Sequence, residues 1–299
     1  MHQRHRVELV HVFAAGPGGG NPAPIVVDAA GMSDDEMREV ARHYGHESGF
    51  VFPASPESGC DFEFRFWVPN HEMSMCGHAT VGALWLLDQI GLLQRDHVAI
   101  WTQSGRVDAR ITRDTTGGAA VEISQPAGRI EPLPDAERSR ADILDVLGIA
   151  REQLAALPIQ NVCTSRVKTL IPLANATDLD ALEPRLEKIE ALCERIGSTG
   201  LYPYVTLDAS QQIFDARQFP KSSGYPEDAA TGIAASALAF GLLSNGLVDA
   251  SDRVVTIRQG RVMKRPSEIL VRFSLYGGRL DRCWLGGTVQ FERDGRASS

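Results

Sequence analysis

Two stretches far apart in the chain follow one plan, and that duplication limits the possible folds more than any other feature. The first reads FRFWVPNHEMSMCGHATVGALWLLDQIGLL and then IWTQSGRV; the second reads FDARQFPKSSGYPEDAATGIAASALAFGLLSNGLV and then TIRQGRV. In each, an extended run ends at a proline (Pro69, Pro220) and a polar loop follows. An Ala-Thr pair (Ala79-Thr80, Ala230-Thr231) then opens a helix of small and apolar residues, and a strand leads to Gln-Ser-Gly-Arg-Val or Gln-Gly-Arg-Val. A helix apolar on every side is buried on every side. Two such helices in matching frames imply two copies of one supersecondary unit, each a central helix wrapped in sheet. If the copies face each other, the two helix N-termini meet in one cleft. Each offers about half a positive charge and several N–H groups to an anion such as a carboxylate or an enolate.

The flanking segments supply the sheet. RVELVHVF (6–13), APIVVD, SGFVFP (48–53), FEFRFWV (62–68), HVAIWT (97–102), RVDARI (106–111) and AAVEIS (119–124) alternate or are rich in β-branched and aromatic residues, a pattern that suggests half-buried antiparallel strands. Ser33 and Glu36 have the spacing of a capping box and predict a helix over about 34–44 that ends near Tyr44-Gly45. The Pro- and charge-rich stretch QPAGRIEPLPDAERSR (125–140) reads as a crossing between domains. Beyond it come helices near 139–147 and 185–196, the second stopped by Gly197, and strands at 204–207 and 213–219. The expected architecture is α+β with two pseudo-symmetric domains, each a mostly antiparallel barrel-like sheet around a central apolar helix. Residues 1–124, completed by a C-terminal strand at 284–293, form one domain, and 125–283 form the other.

Several function classes fall away. A formal net charge of −8 without a Lys/Arg run gives no surface for a nucleic acid. The five widely spaced cysteines include no C-x-x-C pair, so neither a disulfide framework nor a structural zinc site is indicated, and a reducing cytoplasm fits. The segment MHQRHRVELVHVF lacks the apolar core of a signal peptide, and no apolar run approaches about 18 residues, so neither a membrane span nor export is expected. GPGGGNPAP (16–24) is glycine-rich but does not match G-x-G-x-x-G, and neither a P-loop, H-E-x-x-H nor G-x-S-x-G occurs. The histidines show no ligand spacing.

Three positions can carry chemistry. Cys76 at the head of the first apolar helix is either a thiolate made accessible by the helix N-terminus or a small buried hydrophobe. His78 either orients a carboxylate and moves a proton near neutral pH or serves as a cap or solvated side chain. Glu47, in YGHESGFVF, lies at a helix–strand junction where catalytic groups are displayed and where most glutamates are merely solvated. In the second copy, Asp228 has the place of an N-cap for the second helix.

Taken in order, GGGNPAPIVVD, HESGFVF, FRFWVPNHEMSMCGHATVGALWLL, PEDAATGIAASALAFGLL, QGRVMKRPSEILV and LGGTVQF resemble the PhzF-like (phenazine biosynthesis PhzF) family, within the diaminopimelate epimerase-like fold. The resemblance implies an active site between two similar domains, usually in a homodimer, and proton transfer that uses neither metal nor cofactor. It makes Glu47 the general acid/base and gives His78 and Asp228 supporting roles. Asn21, the backbone at Gly77 and Gly232, and the neighbouring Thr231 and Ile233 then line the substrate. Two positions depart from the phenazine enzyme. Cys76 replaces an alanine and resembles the catalytic-cysteine motif of diaminopimelate epimerase, and Ile233 stands where ATGS would supply a hydroxyl. The second epimerase cysteine is missing.

The expected function is therefore an isomerase that shuttles a proton on a small carboxylate-bearing metabolite through Glu47. A two-base epimerase using Glu47 and Cys76, and a non-catalytic ligand-binding member of the fold, are the alternatives. The loops NHEMS (70–74) and KSSGY (221–225) would set specificity.

Overall fold

The computed structural model describes residues 5–115, 118–222 and 224–292; Ser223 of the KSSGY loop and residue 293 of the expected return strand lie outside them. The chain divides into two compact units. Residues up to Ser124 join those from Gly286 onward in the first, and Gln125–Leu285 forms the second.

In the first unit, strand Glu8–Val12 pairs antiparallel with Asn21–Val26, which lies parallel to Ser48–Pro53. Ser48–Pro53 is antiparallel to Phe62–Trp67, which runs parallel to His97–Thr102, and His97–Thr102 is antiparallel to Gly105–Arg113. Gly105–Arg113 in turn pairs antiparallel with Ala119–Pro126. Val289–Phe291 returns to the free side of Glu8–Val12. The second unit repeats the sequence of pairings. Gln160–Cys163 is antiparallel to Val167–Pro172, which is parallel to Gly200–Asp208; that strand is antiparallel to Ile213–Ala216, which is parallel to Val255–Gln259, and Val255–Gln259 is antiparallel to Ser267–Tyr276.

The sheets are mostly antiparallel, as expected, with two parallel pairs in each unit. Each occurs where a helix intervenes between the strands, because parallel neighbours need a long crossover and a helix supplies it. The 125–140 stretch also contains a strand, Arg129–Glu131, paired with Gln160–Cys163, and the 213–219 run breaks into Ile213–Ala216 and Phe219–Pro220.

The two apolar helices are Gly77–Gln89 and Gly232–Ser244, and nearly every residue in them is buried. Their small residues are set by close packing. A Cβ at Gly82 would lie 2.9 Å from a methyl of Val12, and one at Gly241 would lie 2.3 Å from a methyl of Leu170. Superimposing the two helix starts pairs Cys76 with Thr231 as N-caps, Gly77 with Gly232, and His78 with Ile233. The Ala-Thr pairs are therefore not equivalent: Ala79-Thr80 lies inside the first turn, whereas Ala230-Thr231 precedes the helix.

Helices cover the outer side of each sheet. Asp34–Tyr44 buries Met37 and Ala41 against Val26, Phe50 and Trp67. Both halves of its capping box form: the Glu36 N–H donates to Ser33 Oγ at 3.3 Å, and the Ser33 N–H donates to Glu36 Oε2 at 2.8 Å. Ser33→Ala removes one half and is expected to lower stability by about 1 kcal/mol, read from a urea unfolding curve. In the second unit, Ala136–Leu147 and Leu186–Ile196 pack Ile143, Leu147, Ile189 and Cys193 against Leu201 and Val205. Among the described residues, no helix is long and apolar enough to cross a membrane.

Candidate active site

Glu47 is positioned by two neighbours that end one element and begin the next. The covering helix stops at Gly45, whose φ of 69° is the left-handed conformation that glycine adopts without cost. Ser48 then starts a strand fully buried, with its hydroxyl donating to the His46 carbonyl at 3.1 Å and its backbone opposite Trp67. Gly49 follows in close packing, where a Cβ would lie 2.9 Å from Ile25 Cδ1 and 3.5 Å from the Ala79 methyl. Between these fixed points, the Glu47 side chain is left only 14% exposed.

The other two groups come from the start of the first apolar helix. Glu72–Met73 pairs with Phe66–Trp67, Cys76 is extended (φ −138°, ψ 108°), and Gly77 begins the helix. Cys76 is the N-cap, but its side chain makes no capping bond. Its carbonyl instead accepts from the Thr80 N–H at 3.0 Å and the Thr80 hydroxyl at 2.7 Å, which fixes the first turn. His78, one residue inside the helix, is buried with a side chain 6% exposed, so the cap and solvated readings of it do not hold.

These elements bring three of the sequence candidates together. The Cys76 thiol donates to Glu47 Oε2 at 3.8 Å and contacts His78 Nδ1 at 3.4 Å, and His78 Nδ1 lies 3.4 Å from Glu47 Oε2. A carboxylate, an imidazole and a thiol in mutual contact at a helix N-terminus, mostly shielded from water, can pass a proton among themselves and toward a bound molecule. The same three side chains form a group of potential metal ligands, although sequence spacing had revealed no ligand pattern. The reason is that Glu47 arrives from 29 residues earlier.

Two cysteines of the second unit are deeply buried thiols. Burial pushes the Cys193 thiol up to about 11 and the Cys283 thiol up to about 12. At pH 8 about one in a thousand such thiols, or fewer, is ionised, and the thiolate is the nucleophile. Iodoacetamide at pH 8 is therefore expected to leave Cys193 and Cys283 unmodified in the folded protein and to label both in denaturant, as read by peptide mass spectrometry.

The remaining candidates belong to other places. Asn21 begins a buried strand opposite Val12. Asp228, Thr231, Gly232 and Ile233 sit at the start of the second apolar helix, in the second unit. Asp228 is not the N-cap expected from its position; Thr231 is, and its hydroxyl donates to the Asp228 carboxylate. The backbone explains the shift, since the Asp228 N–H donates to the Gln218 carbonyl at 3.1 Å and holds the residue against strand-like chain before the helix.

Sequence reasoning overlooked the groups that hold this helix start. Gln259 accepts from the Tyr202 hydroxyl at 2.9 Å and donates to the Asp228 carbonyl at 2.6 Å and to Thr231 Oγ1 at 3.2 Å. Burial raises the Tyr202 phenol well above its ordinary range, so it stays a neutral donor. Arg217, also unforeseen, forms a bidentate pair with Glu227, the residue before Asp228, at 2.9 and 2.7 Å. The available signal for Gln259 was the repeated Gln in TQSGRV and RQGRV, which marks more than a strand end.

Comparison with known proteins gives a consistent picture. The family model PhzC-PhzF, described as phenazine biosynthesis-like protein, matches residues 10–292. An uncharacterized isomerase of Deinococcus radiodurans is 31% identical over 97% of this chain and 94% of its own length. The trans-2,3-dihydro-3-hydroxyanthranilate isomerase of Pseudomonas aeruginosa is 26% identical, covering 98% of this chain and 99% of the relative. Among solved structures, a phenazine biosynthesis protein of the PhzF family from Bacillus anthracis superimposes with a TM-score of 0.82 at 24% identity, covering 96% of both chains.

Proposed function

The chain belongs to the PhzC-PhzF phenazine biosynthesis-like family, a family with members named isomerases, and from that premise we propose that it moves a proton between carbons of a small carboxylate-bearing metabolite without a cofactor. Glu47 is the group that removes the proton and returns it. The observation that carries this reading is the contact of Glu47 Oε2 with His78 Nδ1 at 3.4 Å, in a nearly buried place at the first helix start. A base there works next to a second proton carrier, and the positive end of the helix favours the enolate or dienolate charge that develops when the proton leaves. Asp228, Thr231 and Gly232 keep the supporting and lining roles that the family resemblance implies.

The distances weigh against the two-base epimerase. Bases on opposite faces of one carbon, each at a near-attack distance of about 3–3.5 Å, stand roughly 6–7 Å apart. Glu47 Oε2 and Cys76 Sγ are 3.8 Å apart, so both approach a substrate from one side. Cys76→Ala is accordingly expected to retain solvent exchange at the substrate carbon. The test is deuterium wash-in, followed by mass spectrometry, across a panel of small cyclic and acyclic carboxylates, including trans-2,3-dihydro-3-hydroxyanthranilate. Exchange that needs Glu47 but not Cys76 supports the one-base reading; exchange lost in Cys76→Ala restores the two-base reading. Turnover that persists at full rate in Glu47→Gln would overturn proton transfer through this carboxylate, whereas turnover without label in the native chain would mean that the shielded carboxyl returns the same proton before it exchanges.

A further inference from the structure

The contact triangle of Glu47, Cys76 and His78 matches a second chemistry. A tetrahedral zinc ion, with bonds of about 2.3 Å to sulfur and about 2.0–2.2 Å to nitrogen or oxygen, separates its ligand atoms by roughly 3.3–3.6 Å. The three donor atoms here are separated by 3.4 Å (Sγ to Nδ1), 3.4 Å (Nδ1 to Oε2) and 3.8 Å (Sγ to Oε2). The edges equal those of one face of a zinc tetrahedron to within a few tenths of an ångström.

We propose that Glu47, Cys76 and His78 form a binding site for zinc, or a similarly borderline-soft divalent ion, and that the bound ion shuts off proton transfer. The inhibition rests on the function proposed above; the binding does not. Three protein ligands leave the fourth tetrahedral position open, the arrangement of an exchangeable rather than a structural ion. The mixed sulfur, nitrogen and oxygen set favours zinc or cobalt over magnesium and calcium, which take oxygen ligands.

Charge decides whether such a site can stand at a helix N-terminus, where the macrodipole opposes a cation. A thiolate and a carboxylate together bring two negative charges, which cancel those of the ion, so the dipole acts on a neutral assembly. Binding then exchanges one bond for another: the Cys76 S–H proton goes to solvent as the sulfur bonds zinc, and His78 binds as neutral imidazole. Supporting geometry is present, since the two bonds from Thr80 to the Cys76 carbonyl hold the turn that carries both Cys76 and His78. With His78 Nδ1 and Glu47 Oε2 tied to the ion, the imidazole has no free acceptor nitrogen and the carboxylate is a much weaker base toward substrate.

The experiment uses the full chain stripped with a chelator. Zinc is titrated in competition with a chromophoric chelator, and cobalt is titrated with the absorption spectrum recorded. The expected results are one zinc per chain and a thiolate-to-cobalt charge-transfer band. Glu47→Gln, Cys76→Ser and His78→Ala should each lower affinity by at least the roughly 10- to 100-fold that loss of a merely supporting group costs a metal site. Cys76→Ser, a near-isosteric change whose fold is checked by circular dichroism, should also abolish the band. Magnesium should neither bind nor compete.

Zinc bound with unchanged affinity in all three variants, the absence of stoichiometric binding, or a cobalt complex without the charge-transfer band would overturn the site. If zinc binds through the triad while deuterium exchange on a true substrate continues at full rate, the inhibition and the catalytic role of the triad both fall and the binding site stands. If exchange depends on Glu47 and zinc does not bind, the catalytic reading stands and this inference fails.

Discussion

Glu47→Gln is expected to lower turnover, and the wash-in of solvent deuterium that accompanies it, by about 10²- to 10⁴-fold, the usual contribution of a positioned general acid/base. The substitution keeps the shape of the side chain and removes only the ability to take and return a proton. KM should therefore change far less than kcat, and the thermal melting curve should keep its cooperative form. His78→Asn tests the same contact from the other side: it removes the imidazole that lies 3.4 Å from the carboxylate and should lower kcat by less than the loss of Glu47 itself. Full-rate exchange in Glu47→Gln with a true substrate would remove the carboxylate from the mechanism.

Arg217→Met is expected to destabilise the second unit by about 3–5 kcal/mol, because it strands a partner carboxylate out of water. The Arg217 and Glu227 side chains are only 8% and 11% exposed and meet through two hydrogen bonds. Arg217 Nη1 also donates to the carbonyls of Leu179 and Leu182 at 3.0 and 2.9 Å, and the guanidinium lies 5.0 Å from the Phe219 ring centroid. The melting temperature should fall by roughly 10 °C. Arg217→Lys keeps the charge but loses the fork and the stacking, so it should fall between the two. Replacing both partners with apolar residues should recover much of the loss, since the penalty comes from the unpaired charge. A drop of less than about 1 kcal/mol in the single variant would mean that Glu227 is not held by Arg217 alone.

The parts of this architecture that local chemistry determines could be read directly. Ser33 and Glu36 announced their helix because a capping box is complete within four residues. The two all-apolar helices were visible because burial on every side leaves no polar face. Parallel pairing was not visible, because Ser48–Pro53 and Phe62–Trp67 look alike whether a neighbour runs with them or against them; the direction is set by the helices in between. The short buried strands Gln160–Cys163 and Val167–Pro172 lack the length or alternation that would separate them from loop.

The site followed the same division. Cys76 and His78 were suspected from one stretch of five residues, but their contact with Glu47 depends on strand pairing that brings Ser48 opposite Trp67. Asp228 was misread as a cap because residue type and spacing suit capping, whereas the competing pairing with Gln218 comes from the preceding strand. Arg217, Tyr202 and Gln259 act through partners 10 to 57 residues away, beyond any window of local pattern.

The pairing of Val289–Phe291 with Glu8–Val12 bears on how the molecule is made. Strand Glu8–Val12 is held by Asn21–Val26 on one side and by the returning segment on the other, and the Gln290 side chain reaches the Gly16 carbonyl across 274 positions. On the ribosome, the first unit therefore emerges first but is left with an open sheet edge until nearly 280 further residues have been translated. The second unit, continuous from Gln125 to Leu285, has all its strands available before then. The order of completion is thus the reverse of the order of synthesis, and the nascent edge at Glu8–Val12 is the place where a chaperone, or a misplaced strand, has the longest opportunity to bind.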